Sequence, residues 1–131
     1  MAMRVASAVL EGLLAEAASA RPREACGLLF GTPAAITAYR SAANVHSAPD
    51  THFEIDPQAL IDAHRAMRDG GPRVLGYYHS HPNGPPEPSA TDRALAARDG
   101  MIWAIAGAGR VTLWRAGEDG LAPLPYRALQ A

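Results

Sequence analysis

The chain has 131 residues, 48% of them hydrophobic and 19% charged, with 12 basic against 13 acidic side chains. That composition provides the core of one domain and argues against disorder. A net charge of -1 with no basic stripe gives no sign of a nucleic-acid partner, and the single cysteine, Cys26, rules out an internal disulfide and fits a reducing compartment.

Residues 3–18 read as a first helix, because Val5, Val9, Leu13 and Ala17 recur every four positions. Arg4 and the apolar stretch behind it, ending Ala17-Ala18-Ser19-Ala20, mimic a signal peptide. Glu11 and Glu16 interrupt that stretch, so a cytoplasmic helix is the expectation. No uncharged apolar run of about 18 residues occurs, and no membrane span is expected. Arg21-Pro22-Arg23 ends the helix, since proline cannot continue it.

Residues 24–31 read as a buried strand closed by Gly31. Thr32-Pro33 makes a turn, and residues 34–41 return as the second strand of a hairpin. Residues 44–51 are polar and loop-like, and residues 52–55 look like a short strand. Asp56-Pro57 is a strong helix start, aspartate at N-cap and proline at N1. Leu60, His64 and Met67 mark the inner face of this second helix, which Gly70-Gly71-Pro72 stops. Residues 73–78 form the next strand. Pro85, Pro86 and Pro88 forbid regular structure beyond it, and Ser89 opens a third helix running to about Asp99. Residues 101–106 and 110–115 read as strands around the turn Gly107-Ala108-Gly109. After residues 117–120, the prolines Pro123 and Pro125 confine residues 121–126 to a sheet edge or a tail. There is no internal repeat or linker, so residues 1–131 read as one α/β domain: a mixed sheet with about three helices on its faces.

The chemistry gathers at His79-Ser80-His81-Pro82, which leaves the strand at 73–78. Side chains at i and i+2 of an extended chain project to one face, so both imidazoles aim the same way. Two neutral imidazoles can share a transition metal, and Asp92 can swing back across the Pro-rich bend as a third, anionic ligand. Three protein ligands leave the fourth corner of a zinc tetrahedron for water, the mark of a catalytic rather than a structural site. An amide leaving group must also be protonated, and Glu24, just before a buried strand, is the candidate acid/base.

Each residue also has a plainer interpretation. His-x-His alone is often two surface histidines. Ser89-x-x-Asp92 could be only a helix N-terminus, close to a capping box. Glu24 could be a solvated carboxylate beside Arg23, and Cys26 an ordinary core residue. His46, His52 and His64 compete as ligands; the first two are expected to be exposed and the third to lie on a helix face. Other metal and serine families fit worse. One cysteine cannot supply a Pro-Cys-x-x-Cys element, and neither His-Glu-x-x-His nor Gly-x-Ser-x-Gly occurs.

Taken together, Glu24, His79-Ser80-His81-Pro82, Ser89 and Asp92 resemble the signature of the JAMM (MPN-plus) metallopeptidases. The sequence Glu24-Ala25-Cys26-Gly27-Leu28-Leu29 resembles that family's small bacterial branch. The resemblance implies a single MPN-like domain with a curved mixed sheet. It implies one Zn2+ per chain on His79, His81 and Asp92, with Glu24 as general acid/base and Ser89 stabilising the oxyanion. It implies cleavage at the C-terminal tail of a ubiquitin-like, in the small branch a sulfur-carrier, protein. Residues 44–51 and 83–88 are the expected groove walls. The rival readings are a non-catalytic MPN-type binding module and a hydrolase of small peptide conjugates.

Overall fold

A computed structural model describes residues 3–130. The elements are β1 (Met3–Ala6), α1 (Ser7–Ala20), β2 (Cys26–Thr32), β3 (Ala35–Ala42), α2 (Pro57–Arg68), β4 (Arg73–Ser80), α3 (Ala90–Leu95), β5 (Ile102–Gly107), β6 (Arg110–Gly117), β7 (Gly120–Pro123) and β8 (Tyr126–Leu129). All the strands join one mixed sheet in the order β7-β6-β5-β4-β2-β3-β1-β8. The expected hairpin is β2 against β3, and β4 lies between β2, antiparallel, and β5, parallel. The fold is thus a single α/β domain with three helices, as the sequence implied.

The two faces of the sheet bury different sets of side chains. Val9 and Leu13 of α1 pack with Leu29, Ile36, Leu75, Tyr78, Ala104 and Leu113 on one face. Ala63 of α2 packs with Cys26, Leu28, Phe30 and Val74 on the other, and Leu60 and Met67 flank it. The second helix starts as its sequence dictates: the Asp56 carboxylate accepts from the Gln58 amide at 3.1 Å with Pro57 in the first turn. Among the described residues no helix is long and apolar enough to cross a membrane.

Three expectations need correction. The first helix starts at Ser7, not residue 3: Met3–Ala6 is a strand pairing in parallel with β3 and β8. Met3 and Val5 alternate inward with period two, a pattern that overlaps the helical spacing from Val5 onward. The strand expected at 52–55 reduces to one bridge, Asn44 to Ile55. The third helix stops at Leu95, four residues before the expected Asp99. The segment expected at an edge or as a tail does lie at the sheet edges, split between β7 and β8 on opposite sides.

One irregularity decides where the histidines point. Leu29 pairs with Gly76 but Phe30 pairs with Val74, so Leu75 is an extra residue in β4. A bulge of one residue moves every following side chain to the other face. It sends Leu75 and Tyr78 to the α1 side and Tyr77 to the α2 side. His79 follows Tyr77 and stacks on Phe53, 4.2 Å between ring centroids.

Beside the bulge, Gly76 passes Ile102 so closely that an added Cβ would run into the Ile102 backbone, which has no flexible end to yield. Gly76→Ala is therefore expected to destabilise the fold by about 1–3 kcal/mol. Urea denaturation would show this as a lower midpoint at unchanged slope.

Candidate metal centre

His79 is the penultimate residue of β4, and His81 follows its last residue as the chain turns into the Pro-rich loop. Asp92 reaches them from the first turn of α3. The Asp92 Oδ2 lies 3.1 Å from His79 Nε2 and 3.1 Å from His81 Nε2, and the two Nε2 atoms are 3.2 Å apart. Among the described residues these three form the one His/Cys/Asp/Glu group close enough to share an ion.

The donor set fits such an ion. Tetrahedral coordination at bond lengths of about 2.0–2.1 Å places neighbouring ligand atoms about 3.3 Å apart, close to the three spacings found. His81 Nδ1 lies 2.9 Å from the Pro85 carbonyl, which can only accept. Nδ1 therefore carries a proton, and Nε2, which faces the cluster, is the nitrogen that would bind an ion once its own proton is given up. Two imidazole nitrogens and a carboxylate oxygen would occupy three corners and leave the fourth open.

Electrostatics prepare the same set. Burial drives His79, 1% exposed, below the usual imidazole range and keeps it neutral. Burial would raise the Asp92 carboxyl, but hydrogen bonds from both imidazoles outweigh it and hold it well below the usual carboxylate range. Burial also works against a charged His81, but its bonds to Asp92 and Pro85 outweigh that and leave it raised.

Ser89 and Asp92 form the full capping box: the Ser89 hydroxyl accepts from the Asp92 amide at 3.0 Å, and Asp92 Oδ2 accepts from the Ser89 amide at 2.9 Å. The helix-start interpretation and the ligand interpretation are thus the same geometry. The box fixes the carboxylate that faces the histidines.

Glu24 sits just before β2, 7% exposed. With His81, Ser89, Asp50, Thr51, residues 82–85, Glu87 and Pro88 it borders a cleft of about 400 Å³. It also borders a second cavity of about 300 Å³ with Glu16, Arg23 and residues 41–44. Both expected groove walls, 44–51 and 83–88, contribute to the first cleft. Burial pushes the Glu24 carboxyl up to about 7, with His81 lowering and Asp92 raising it.

The competing residues lie elsewhere. His46 and His52 stack on each other at 4.7 Å and are half-buried rather than exposed, and His64 is half-buried on α2. Cys26 points into the α2-side core, with its thiol 3.7 Å from the Ala42 and Ala43 carbonyls.

Four residues that sequence reasoning passed over shape the site. Phe53 lies flat on His79, and Trp103 meets that ring edge-on at 5.7 Å. Asn44 donates to the carbonyls of Glu24, Pro49 and His52 and accepts from the amides of His46 and Glu54, tying the loop at 43–56 together. An asparagine closing a strand before a polar stretch was the available signal. Ser80 accepts from the Ala25 amide at 2.8 Å.

Two measurements check these environments. In the metal-free protein, the Glu24 carboxyl should titrate near 7 by carbon NMR instead of the ordinary 4.5; a midpoint below 5 would contradict its burial. Burial, with the Glu24 carboxylate adding to it, pushes the Cys26 thiol up to about 12. A thiol reagent at pH 8 should leave the folded protein unmodified and label one site only after denaturation.

The model of prokaryotic homologs of the JAB domain matches residues 6–117. The chain is 38% identical over 91 residues to the desampylase of Haloferax volcanii, covering 68% of this chain and 66% of that one. It is 35% identical over 92 residues to a probable TtuB-protein conjugate cleaving protease of Thermus thermophilus, covering 70% of this chain and 62% of that one. The matched part thus spans less than two thirds of either relative's length. The solution structure of protein DSY2949 from Desulfitobacterium hafniense superposes with a TM-score of 0.82 at 29% identity, covering 98% of this chain and 94% of that one. With its fold and its family match in agreement, the chain belongs to the JAB (JAMM) family as a small prokaryotic member.

Proposed function

We propose that this chain is a zinc-dependent peptidase that cleaves an amide or isopeptide bond at the C-terminal tail of a small ubiquitin-like protein. The observation that carries the reading is a buried, up-shifted Glu24 carboxyl that lines one cleft with His81, the least buried member of the His79–His81–Asp92 group. The names of two relatives, a desampylase and a TtuB-protein conjugate cleaving protease, support the substrate class. Among such tails we favour those of sulfur-carrier proteins. In this reading residues 1–131 work as one peptidase domain.

His79, His81 and Asp92 would hold one zinc ion. When bound, it supplies a Lewis acid that polarises the scissile carbonyl and acidifies water. Glu24 takes the proton from the attacking water and returns it to the leaving nitrogen. A carboxyl whose pKa lies close to neutrality suits both transfers. Ser89 keeps its oxygen on the Asp92 amide and turns its O–H toward the substrate oxygen that gains charge. The tail lies extended across Glu24, between the cavity at 41–44 and the cleft walled by Asp50, Thr51, residues 82–85, Glu87 and Pro88.

Metal analysis of the purified chain should return about one zinc, and Asp92→Ala should lose it. Glu24→Gln should keep the zinc and lose turnover on a carrier-tail fusion by about 10²–10⁴-fold. Zinc retention with no cleavage of any tail by the wild type would favour the non-catalytic binding module instead. Equal rates on short free peptides and on the carrier tail would favour the small-conjugate hydrolase.

A further inference from the structure

Ser80 stands between the two histidines, yet its side chain turns away from them. It is 2% exposed. Its backbone amide donates to the Ala25 carbonyl at 3.0 Å, while its hydroxyl accepts from the Ala25 amide at 2.8 Å. An antiparallel ladder would normally answer both Ala25 groups with backbone atoms. Here β4 is leaving the ladder to carry His81 toward the Pro-rich loop, with the His81 amide already given to Ala106. The hydroxyl supplies the acceptor that pairs the Ala25 amide. A buried amide left without one is costly, so the peptide after Glu24 is held from both sides by the residue between the histidines.

We propose that Ser80 is a positioning residue: its hydroxyl, clamped to the Ala25 amide, sets where the Glu24 carboxyl stands relative to His79 and His81. No other described side chain bonds the Ala25 backbone. The next tie on Glu24 itself comes from the loop at 43–56, through Pro49 and Asn44. Three consecutive residues at the end of β4 and just beyond it thus carry two candidate ligands and the fastening for the group that works beside them. The functional part of this proposal rests on the peptidase reading above, and its structural part does not.

Ser80→Ala tests it, with Ser80→Cys as a second variant that keeps a side chain of similar size but offers only a weak acceptor. Two readouts are taken. By NMR hydrogen exchange on the metal-free and zinc-loaded chain, the Ala25 amide should exchange at least tenfold faster in Ser80→Ala, and less so in Ser80→Cys. Amides in the middle of β2 and β5 should be unchanged, as should the zinc content. Unchanged Ala25 protection in both variants would overturn the clamp, whatever the chain catalyses. In turnover, Ser80→Ala should lower kcat by about ten- to a hundredfold with little change in KM, since a displacement of about 1 Å can cost that much. Added to Glu24→Gln, it should change the residual rate less than about twofold, because it acts through the carboxyl already removed. A full additive loss in that double variant would overturn the positioning role. A wild type no faster than Glu24→Gln would instead count against the peptidase reading and leave the exchange result to decide the clamp.

Discussion

The structure depends on one carboxylate meeting two imidazoles where water scarcely reaches. Asp92 is 4% exposed and His79 1%. Burying an ionised carboxylate costs several kcal/mol unless its lone pairs are answered. Asp92 Oδ2 alone is answered three times, by His79, by His81 and by the Ser89 amide. Burial and these bonds pull on the Asp92 carboxyl in opposite directions, and the bonds win. The outcome is a fixed anion facing two fixed imidazole nitrogens that hold it through N–H, and a divalent cation would take the place of those protons without any rearrangement of the chain.

Holding those groups in register takes several local devices, each with a physical reason. The extra residue at Leu75 turns His79 to the α2 side, where Phe53 and Trp103 pack on its ring. The Pro85 carbonyl fixes which His81 nitrogen faces the cluster. The capping box sets the Asp92 rotamer at the same time as it starts α3. None of these is a regular strand or helix contact. The bulge interrupts β4 from within, while the Pro85 carbonyl lies in the loop beyond β4 and the capping box at the start of α3, where backbone groups lack ladder partners.

That distribution explains what was legible in the sequence. Glu24, His79, His81, Ser89 and Asp92 could be picked out because their residue types and spacing are themselves the chemistry. The hairpin and the Asp56-Pro57 helix start were legible because turn and cap residues act over four or five positions. The β1 strand was hidden because Val5 and Val9 satisfy a helical period and a strand period at once, and only pairing with β3 and β8 decides between them. The bulge at Leu75 left no mark, since it is a matter of register with a strand some 45 residues away. Asn44, Phe53 and Ser80 were missed for the same reason: each acts through partners that the fold, not the local sequence, brings near.

Rigidity and exposure are divided along a line that runs through Glu24. On one side, Ala25 is bonded at both its amide and its carbonyl to Ser80 at the end of β4. On the other, the Glu24 amide donates to the Pro49 carbonyl, and the Glu24 carbonyl accepts from Asn44. Pro49 immediately precedes Asp50 and Thr51, which line the cleft. The loop that would meet a substrate tail therefore cannot be displaced without stretching the two backbone bonds of the residue that would move the proton. Under the reading proposed above, recognition of the tail and placement of the base draw on a single set of hydrogen bonds. A tail that fits the loop leaves Glu24 in place over the histidines, and one that forces the loop aside shifts Glu24 with it.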